Sequence, residues 1–209
     1  SERQDPPRAG APVVETLGRM DGPRYLIFEV MGERTLAIAQ RIKMRNPDKG
    51  YSPYLDHYLT GVLALCREHN VRIVANLGNA NPIGGAKRVH ELAKELGIEG
   101  LRVAIVEGDD LLTFMSADEV GSLPTVEGLS IDGKEIVAAN VYLGARPVAA
   151  ALALGVDIVL VGRTTDAAIV MGPPAHAFGW RRDDWDRLAG ACVAGHVIEC
   201  GAQATGGNY

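Results

Sequence analysis

Residues 157–166 read DIVLVGRTTD. Four apolar residues stand together without polar alternation, then Gly162 breaks the run into Arg, Thr and Asp. A short run of this kind is a strand buried on both faces, as strands of a parallel sheet are. The pattern recurs upstream in YLIFEVMGER (25–34), VRIVANLGNANPIGG (71–85) and LRVAIVEGDD (101–110). Helical patterns separate the runs, and this β-α-β-α-β rhythm argues for an α/β chain with a mostly parallel sheet and right-handed crossovers. The units are too few for an eight-stranded barrel. The expected fold is an open three-layer sandwich, Rossmann-like but without a dinucleotide fingerprint. The polar stretches after the strands then share one edge, the carboxyl edge, where α/β sheets bind ligands.

Strands are expected at 25–30, 71–77, 101–107 and 157–162. One helix over 53–69 would carry Leu55, Leu59, Val62, Leu63 and Cys66 on one stripe, at spacings of three and four. Others are expected at 13–19, from Leu36 to Asn46-Pro47, and at 82–97, 146–154 and 183–199. A further helix begins at Thr165 and should stop before Pro173-Pro174. Residues 111–136, rich in acids, Gly and Pro, read as an excursion from the sheet with a hairpin at Asp132-Gly133. Residues 136–144 read as extended.

The 209 residues are 47% hydrophobic and 22% charged, a soluble globular composition with ample core. Lys and Arg number 21 against 26 Asp and Glu, scattered, with no basic stripe, which argues against nucleic acid as a partner. The longest apolar stretch, VAAALALGVDIVLVG (148–162), is broken by Gly155 and Asp157, so it reads as helix then strand and no membrane span is expected. Cys66, Cys192 and Cys200 form no C-x-x-C pair, and buried free thiols in a reducing cytoplasm are the expectation. The opening SERQDPPRAG is polar, so no secretory leader is expected.

Glu107, Asp109 and Asp110 surround Gly108 at the end of a strand. Such carboxylates can hold a divalent cation or act as acid and base, or one can simply cap the next helix. Asn76, Gly78, Asn79 and Asn81, with Gly84 and Gly85, make a Gly/Asn loop running into a helix N-terminus, which suits an anion or a tight turn. It is neither G-x-G-x-x-G nor a P-loop. Arg163 at a strand end requires a partner: a ligand carboxylate or phosphate, or Asp166 in a structural pair. Asn140, in the ANVYLG segment, joins the ligand-binding set. Glu29 can be a desolvated base or the partner of Arg34. His196 and Glu199 share a helix face at i, i+3, ahead of the Gly-rich run that contains Gln203.

Taken together, VRIVANLGNANP, KELGIEGLRVAIVEGDDLL, ANVYLGARPVAAALALGVDIVLVGR and HAFGWRRDDWDRLAGACVAGHVIECGAQATGGNY resemble the acyclic terpene utilisation protein AtuA family, from about Tyr25 to Tyr209. Relatives, bacterial for the most part, often carry GRVAD where this chain has Gly162-Arg163-Thr164-Thr165-Asp166, so Arg and Asp are kept. They also begin one strand earlier, with a Gly-rich loop, and continue past GGNY. The chain, expected as one α/β domain over 1–209, then reads as part of a longer family protein. The family is named for a gene cluster that degrades citronellol and geraniol through acyl-CoA intermediates. The resemblance therefore implies a lyase or hydratase acting on a branched hydroxy acid or its CoA thioester. Glu107, Asp109 or Asp110 would be the base or hold a metal, Arg163 would clamp the anion, and the 76–85 loop would stabilise an enolate. The alternative is an acyl-CoA-binding or scaffold subunit that works as a homo-oligomer or with a partner chain.

Overall fold

A computed structural model of the chain describes residues 9–131 and 134–206. The four apolar runs form β1 (Tyr25–Phe28), β2 (Arg72–Ala75), β3 (Val103–Val106) and β4 (Ile158–Val161). All pair in parallel, in the order β1-β2-β4-β3. The register sets Ile158 beside both Ile73 and Val103, so β4 is paired on both sides. The helices are α1 (Gly10–Gly18), α2 (Glu33–Arg45), α3 (Leu55–Leu59), α4 (Leu63–Glu68), α5 (Pro82–Glu95), α6 (Ala117–Gly121), α7 (Ala145–Ala153), α8 (Ala168–Ala177) and α9 (Trp185–Cys200).

The three layers follow from strand alternation. Ile73, Ala75, Ile158 and Leu160 pack on one face with Val14, Leu59, Leu63 and Val89, from α1, α3, α4 and α5. Val74, Val159 and Val161 pack on the other with Val148 and Leu152 of α7 and Ile169 of α8. The result is a three-layer α/β sandwich. A small third cluster of Met31, Leu36, Ala39 and Ala80 seats α2 on the loops after β1 and β2, at the carboxyl edge.

Two expected helices differ. The 53–69 stripe is intact, with Leu55, Leu59, Val62, Leu63 and Cys66 all buried, but the helix breaks into α3 and α4. Thr60 turns its hydroxyl back to the Asp56 carbonyl at 2.7 Å, and Gly61 follows, a poor helix former. In contrast, Pro173 and Pro174 do not end α8; they lie inside it. An interior proline costs about 3 kcal/mol, and burial offsets it here. Residues 168–170, 172 and 173 are buried, and Gly172 lets α8 approach so closely that an added Cβ would sit 2.4 Å from Val148 Cγ1 of α7.

Residues 111–136 leave the sheet through a 3-10 turn (Leu111–Thr113) and α6, whose Ser116–Glu119 capping box fixes its start. The described part of this segment holds no strand, and the Asp132-Gly133 turn lies outside the described residues. The extended 136–144 segment touches the edge through isolated bridges, Asp110 to Asn140 and Leu143 to Thr164. Cys66 is a core thiol that burial pushes up to about 12, whereas Cys192 and Cys200 are only half-buried, because α9 packs on α8 by one side alone. No described helix is long and apolar enough to cross a membrane.

The strand order locates the functional edge. Chain leaving β1 and β2 goes to the face of α3, α4 and α5, and chain leaving β3 and β4 goes to the face of α7 and α8. Adjacent β2 and β4 therefore send their loops apart, which makes a switch point between them. Gly78 marks how closely the two exits meet: an added Cβ would lie 2.6 Å from the Val161 carbonyl oxygen and 3.0 Å from Pro82 Cα. Both are backbone atoms, so Gly78→Ala is expected to cost about 1–3 kcal/mol, as overpacking does. A urea midpoint equal to that of the unaltered chain would contradict this approach.

Candidate functional site at the carboxyl edge

Arg163 follows β4 and is 2% exposed, so its charge needs partners from the protein. Nη1 donates to the Met31 carbonyl at 2.9 Å, tying the β4 exit to the β1 exit. Nη2 donates to Glu33 at 3.0 Å and to Asp166 at 3.1 Å. The Tyr142 ring lies against the guanidinium, 3.9 Å from centroid to Cζ, and the Tyr142 hydroxyl donates to Glu33. Nε is buried and has no hydrogen-bond partner among the described residues. Glu33 is the first residue of α2, where Thr35 Oγ1 accepts from the Gly32 N–H at 2.7 Å and the helix N-terminus favours an acid. Tyr142, then its own backbone N–H, then Arg163, hold the Glu33 carboxyl below its ordinary range.

The Glu107, Asp109, Asp110 group divides. Glu107 is exposed. Asp109 is 4% exposed and accepts from the Arg163 backbone N–H at 2.9 Å and from Asn140 Nδ2 at 3.0 Å. Gly162 makes room for it, since an added Cβ there would meet Asp109 Oδ1 at 2.6 Å. Asp110 accepts from the Leu112 N–H at 3.1 Å and pairs with Lys43 of α2 at 3.5 Å. These three carboxylates therefore do not converge. Among the described residues no three of His, Cys, Asp and Glu are placed to hold a metal ion.

The 76–85 loop is filled by protein groups. Asn81 Oδ1 takes the Gly84 N–H at 3.0 Å, capping α5, and its Nδ2 donates to the carbonyls of Pro47 and Lys49, both at 2.8 Å. Gly84 and Gly85 admit close neighbours: a Cβ would meet Asn81 Nδ2 at 2.6 Å and Leu160 Cδ2 at 2.7 Å respectively. Asn79 is buried at φ 46°, and its Oδ1 has no partner among the described residues. Asn76 is different, because it faces the β1 exit. Its Oδ1 accepts from the Val30 N–H at 2.8 Å and its Nδ2 donates to Glu29 Oε1 at 2.7 Å.

Glu29 thus takes Asn76, not Arg34, as a partner. Burial pushes its carboxyl above the ordinary range, against the pull of the Asn76 hydrogen bond. The Glu29 and Glu199 carboxyls share a wall of one cleft and interact electrostatically, and Cys200 Sγ donates to Glu199 Oε2 at 3.1 Å. That hydrogen bond raises the Cys200 thiol, opposite to what a thiolate nucleophile needs. His196 is exposed and bonds the Cys192 carbonyl through Nδ1 at 2.9 Å, so it makes no pair with Glu199. Gln203 belongs to a closing 3-10 segment (Gly201–Thr205), and its side chain lies outside the described atoms.

These groups meet in a cleft of about 430 Å³ walled by Glu29, Met31, Gly32, Glu33, Arg34, Arg163, Asp166 and Glu199. Four residues expected from sequence line it: Glu29, Arg163, Asp166 and Glu199. Glu33, Arg34 and Tyr142 were missed. An acid–base pair at a helix start reads as ordinary solvent chemistry, and nothing local marks Tyr142 as the cover of an arginine 21 residues on. The sequence profile described as acyclic terpene utilisation family protein AtuA matches residues 3–209. The chain belongs to the AtuA family. No curated protein and no solved structure matches it. In this AtuA-family chain the match runs through every wall of the cleft, from Glu29 to Glu199.

Asp109 gives this edge a measurable pH signature. Burial raises its carboxyl above the ordinary 3.8. Its contribution to stability is therefore full below 3.8 and is lost as pH climbs through the raised folded value. Asp109→Asn removes that titration, so its stability relative to the unaltered chain should improve from acid towards neutral pH. Asp109→Ala leaves two donors without an acceptor and should cost about 1–3 kcal/mol. Urea titrations across that pH range test both, and a difference that stays flat with pH would count against the assignment.

Proposed function

We propose that the cleft is the acid–base site of a lyase or hydratase acting on a branched hydroxy acid or its CoA thioester. The observation that carries this reading is that Glu29 and Glu199 share the cleft wall, with their carboxyls near enough to interact. Two interacting carboxyls do not both ionise readily, so one keeps a proton while the other remains a base. Burial assigns the proton to Glu29. Removing water from a hydroxy acyl group breaks a C–H bond beside the carbonyl and a C–O bond one carbon further on. Glu199 takes the proton from carbon, the electron pair forms the double bond, and Glu29 protonates the departing hydroxyl. Asn76 keeps Glu29 turned into the cleft. Arg34 is exposed at the cleft wall, with no ion-pair partner among the described residues, and can meet an anionic substituent. Membership of a family named for acyclic terpene utilisation agrees with a branched acid as substrate.

One observation favours a second reading, an acyl-CoA-binding subunit that works with another copy or a partner chain. Trp185, Val193, Val197 and Ile198 are 54–70% exposed on α9, the helix that carries Glu199, an apolar surface of the kind interfaces cover.

Glu29→Gln separates the two. It keeps an acceptor for Asn76 but cannot exchange a proton, so dehydration of a β-branched 3-hydroxyacyl-CoA should fall by about 10²–10⁴ with the circular dichroism spectrum unchanged. Formation of the enoyl thioester is followed by its absorbance. Equal rates in variant and unaltered chain would refute the acid–base role, and thioester binding without turnover by the unaltered chain would favour the subunit.

A further inference from the structure

We infer that Arg163 is a receptor for the carboxylate of a small organic acid, and that Glu33 and Tyr142 occupy its binding edge as an internal substitute until the acid arrives. The inference rests on the reading of the cleft as a substrate site. A guanidinium presents Nε and Nη2 side by side on one edge, matched to the two oxygens of a carboxylate. In Arg163 the third nitrogen, Nη1, is committed to the Met31 carbonyl. The remaining edge is incompletely used: Nε is buried without a partner among the described residues, and Nη2 is held by two separate carboxylates. An unmet buried N–H is costly, so its persistence at a cleft wall asks for a ligand.

The groups now on that edge are built to leave. The Arg163 side chain is 3% exposed, but that of Glu33 is 76% exposed and that of Asp166 46%. Glu33 holds Nη2 through Oε1 alone, and water can solvate it fully once displaced. Tyr142 links the pair, since its ring covers the guanidinium and its hydroxyl holds Glu33. An incoming carboxylate on Nε and Nη2 would replace one hydrogen bond with two and satisfy the orphaned donor. Asp166 still neutralises part of the charge, so a monoanion suits the site better than a phosphate dianion. The arrangement selects a free acid end.

The test is calorimetric titration of the full chain with isovalerate, and in parallel with inorganic phosphate. Glu33 is exposed, so Glu33→Gln leaves the fold in place. Removing the competitor should tighten isovalerate binding by about tenfold. Tyr142→Phe should tighten it less, and phosphate should gain little in either variant. The Arg163 Nε–H resonance should move downfield during the titration as it gains an acceptor. Unchanged or weaker isovalerate binding in Glu33→Gln overturns the inference. So does equal gain by phosphate, or a response at the Arg34 Nε–H instead. Binding does not depend on turnover: tightened binding in a chain that dehydrates nothing discards the hydratase and keeps the receptor, and turnover without tightening does the reverse.

Discussion

A guanidinium removed from water has to be answered by the protein, and at Arg163 the answer comes from every side of the sheet edge. The Met31 carbonyl comes from the β1 exit and Glu33 from the first turn of α2. Asp166 comes from the β4 exit itself, and the Tyr142 ring from the segment between β3 and α7. Asp109, after β3, grips the Arg163 backbone N–H. Desolvating such a cation costs several kcal/mol unless its hydrogen bonds are met. The loops of three strands are therefore held to one geometry by a single side chain. Asn76 extends the constraint to the fourth, because its amide binds both Val30 N–H and Glu29 after β1.

Much of this edge can be read from sequence, for a local reason. Apolar runs that end in Gly, Asn or Arg announce buried strands and their exits, and DIVLVGRTTD places Arg163 without any tertiary information. The helical stripe from Leu55 to Cys66 is likewise a matter of spacing. What spacing does not carry is which exits meet. Glu107 and Asp109 look alike in VEGDD, yet one is exposed and the other buried against Arg163, because Gly108 at φ 107° turns the chain between them. His196 and Glu199 look like a pair on a helix, yet Glu199 faces the cleft with Glu29, 170 residues away. Pro173-Pro174 obeys the same rule: the local penalty is real, and α7 outweighs it.

The Gly/Asn loop teaches the converse. Its glycines resemble a phosphate cradle, but each serves packing: Gly78 against the β4 backbone, Gly84 against Asn81 and residue 48, Gly85 against Leu160. Asn81 supplies to α5 what an anion would otherwise supply. With that helix end satisfied by the protein, the cleft opens instead around Glu29 and Arg163.

The position of β4 also bears on how the chain comes to be folded. It lies between β2 and β3 but is the last of the four to be synthesised. Until residue 161 has left the ribosome, β2 and β3 each expose an unpaired edge, and Val74, Ala104 and Val106 lack the strand that completes their face. A nascent chain in this state offers the flat apolar edges on which aggregation starts. The chain from Glu107 to Ile136 emerges in that interval, and β4 then completes the sheet by pairing on both of its sides at once.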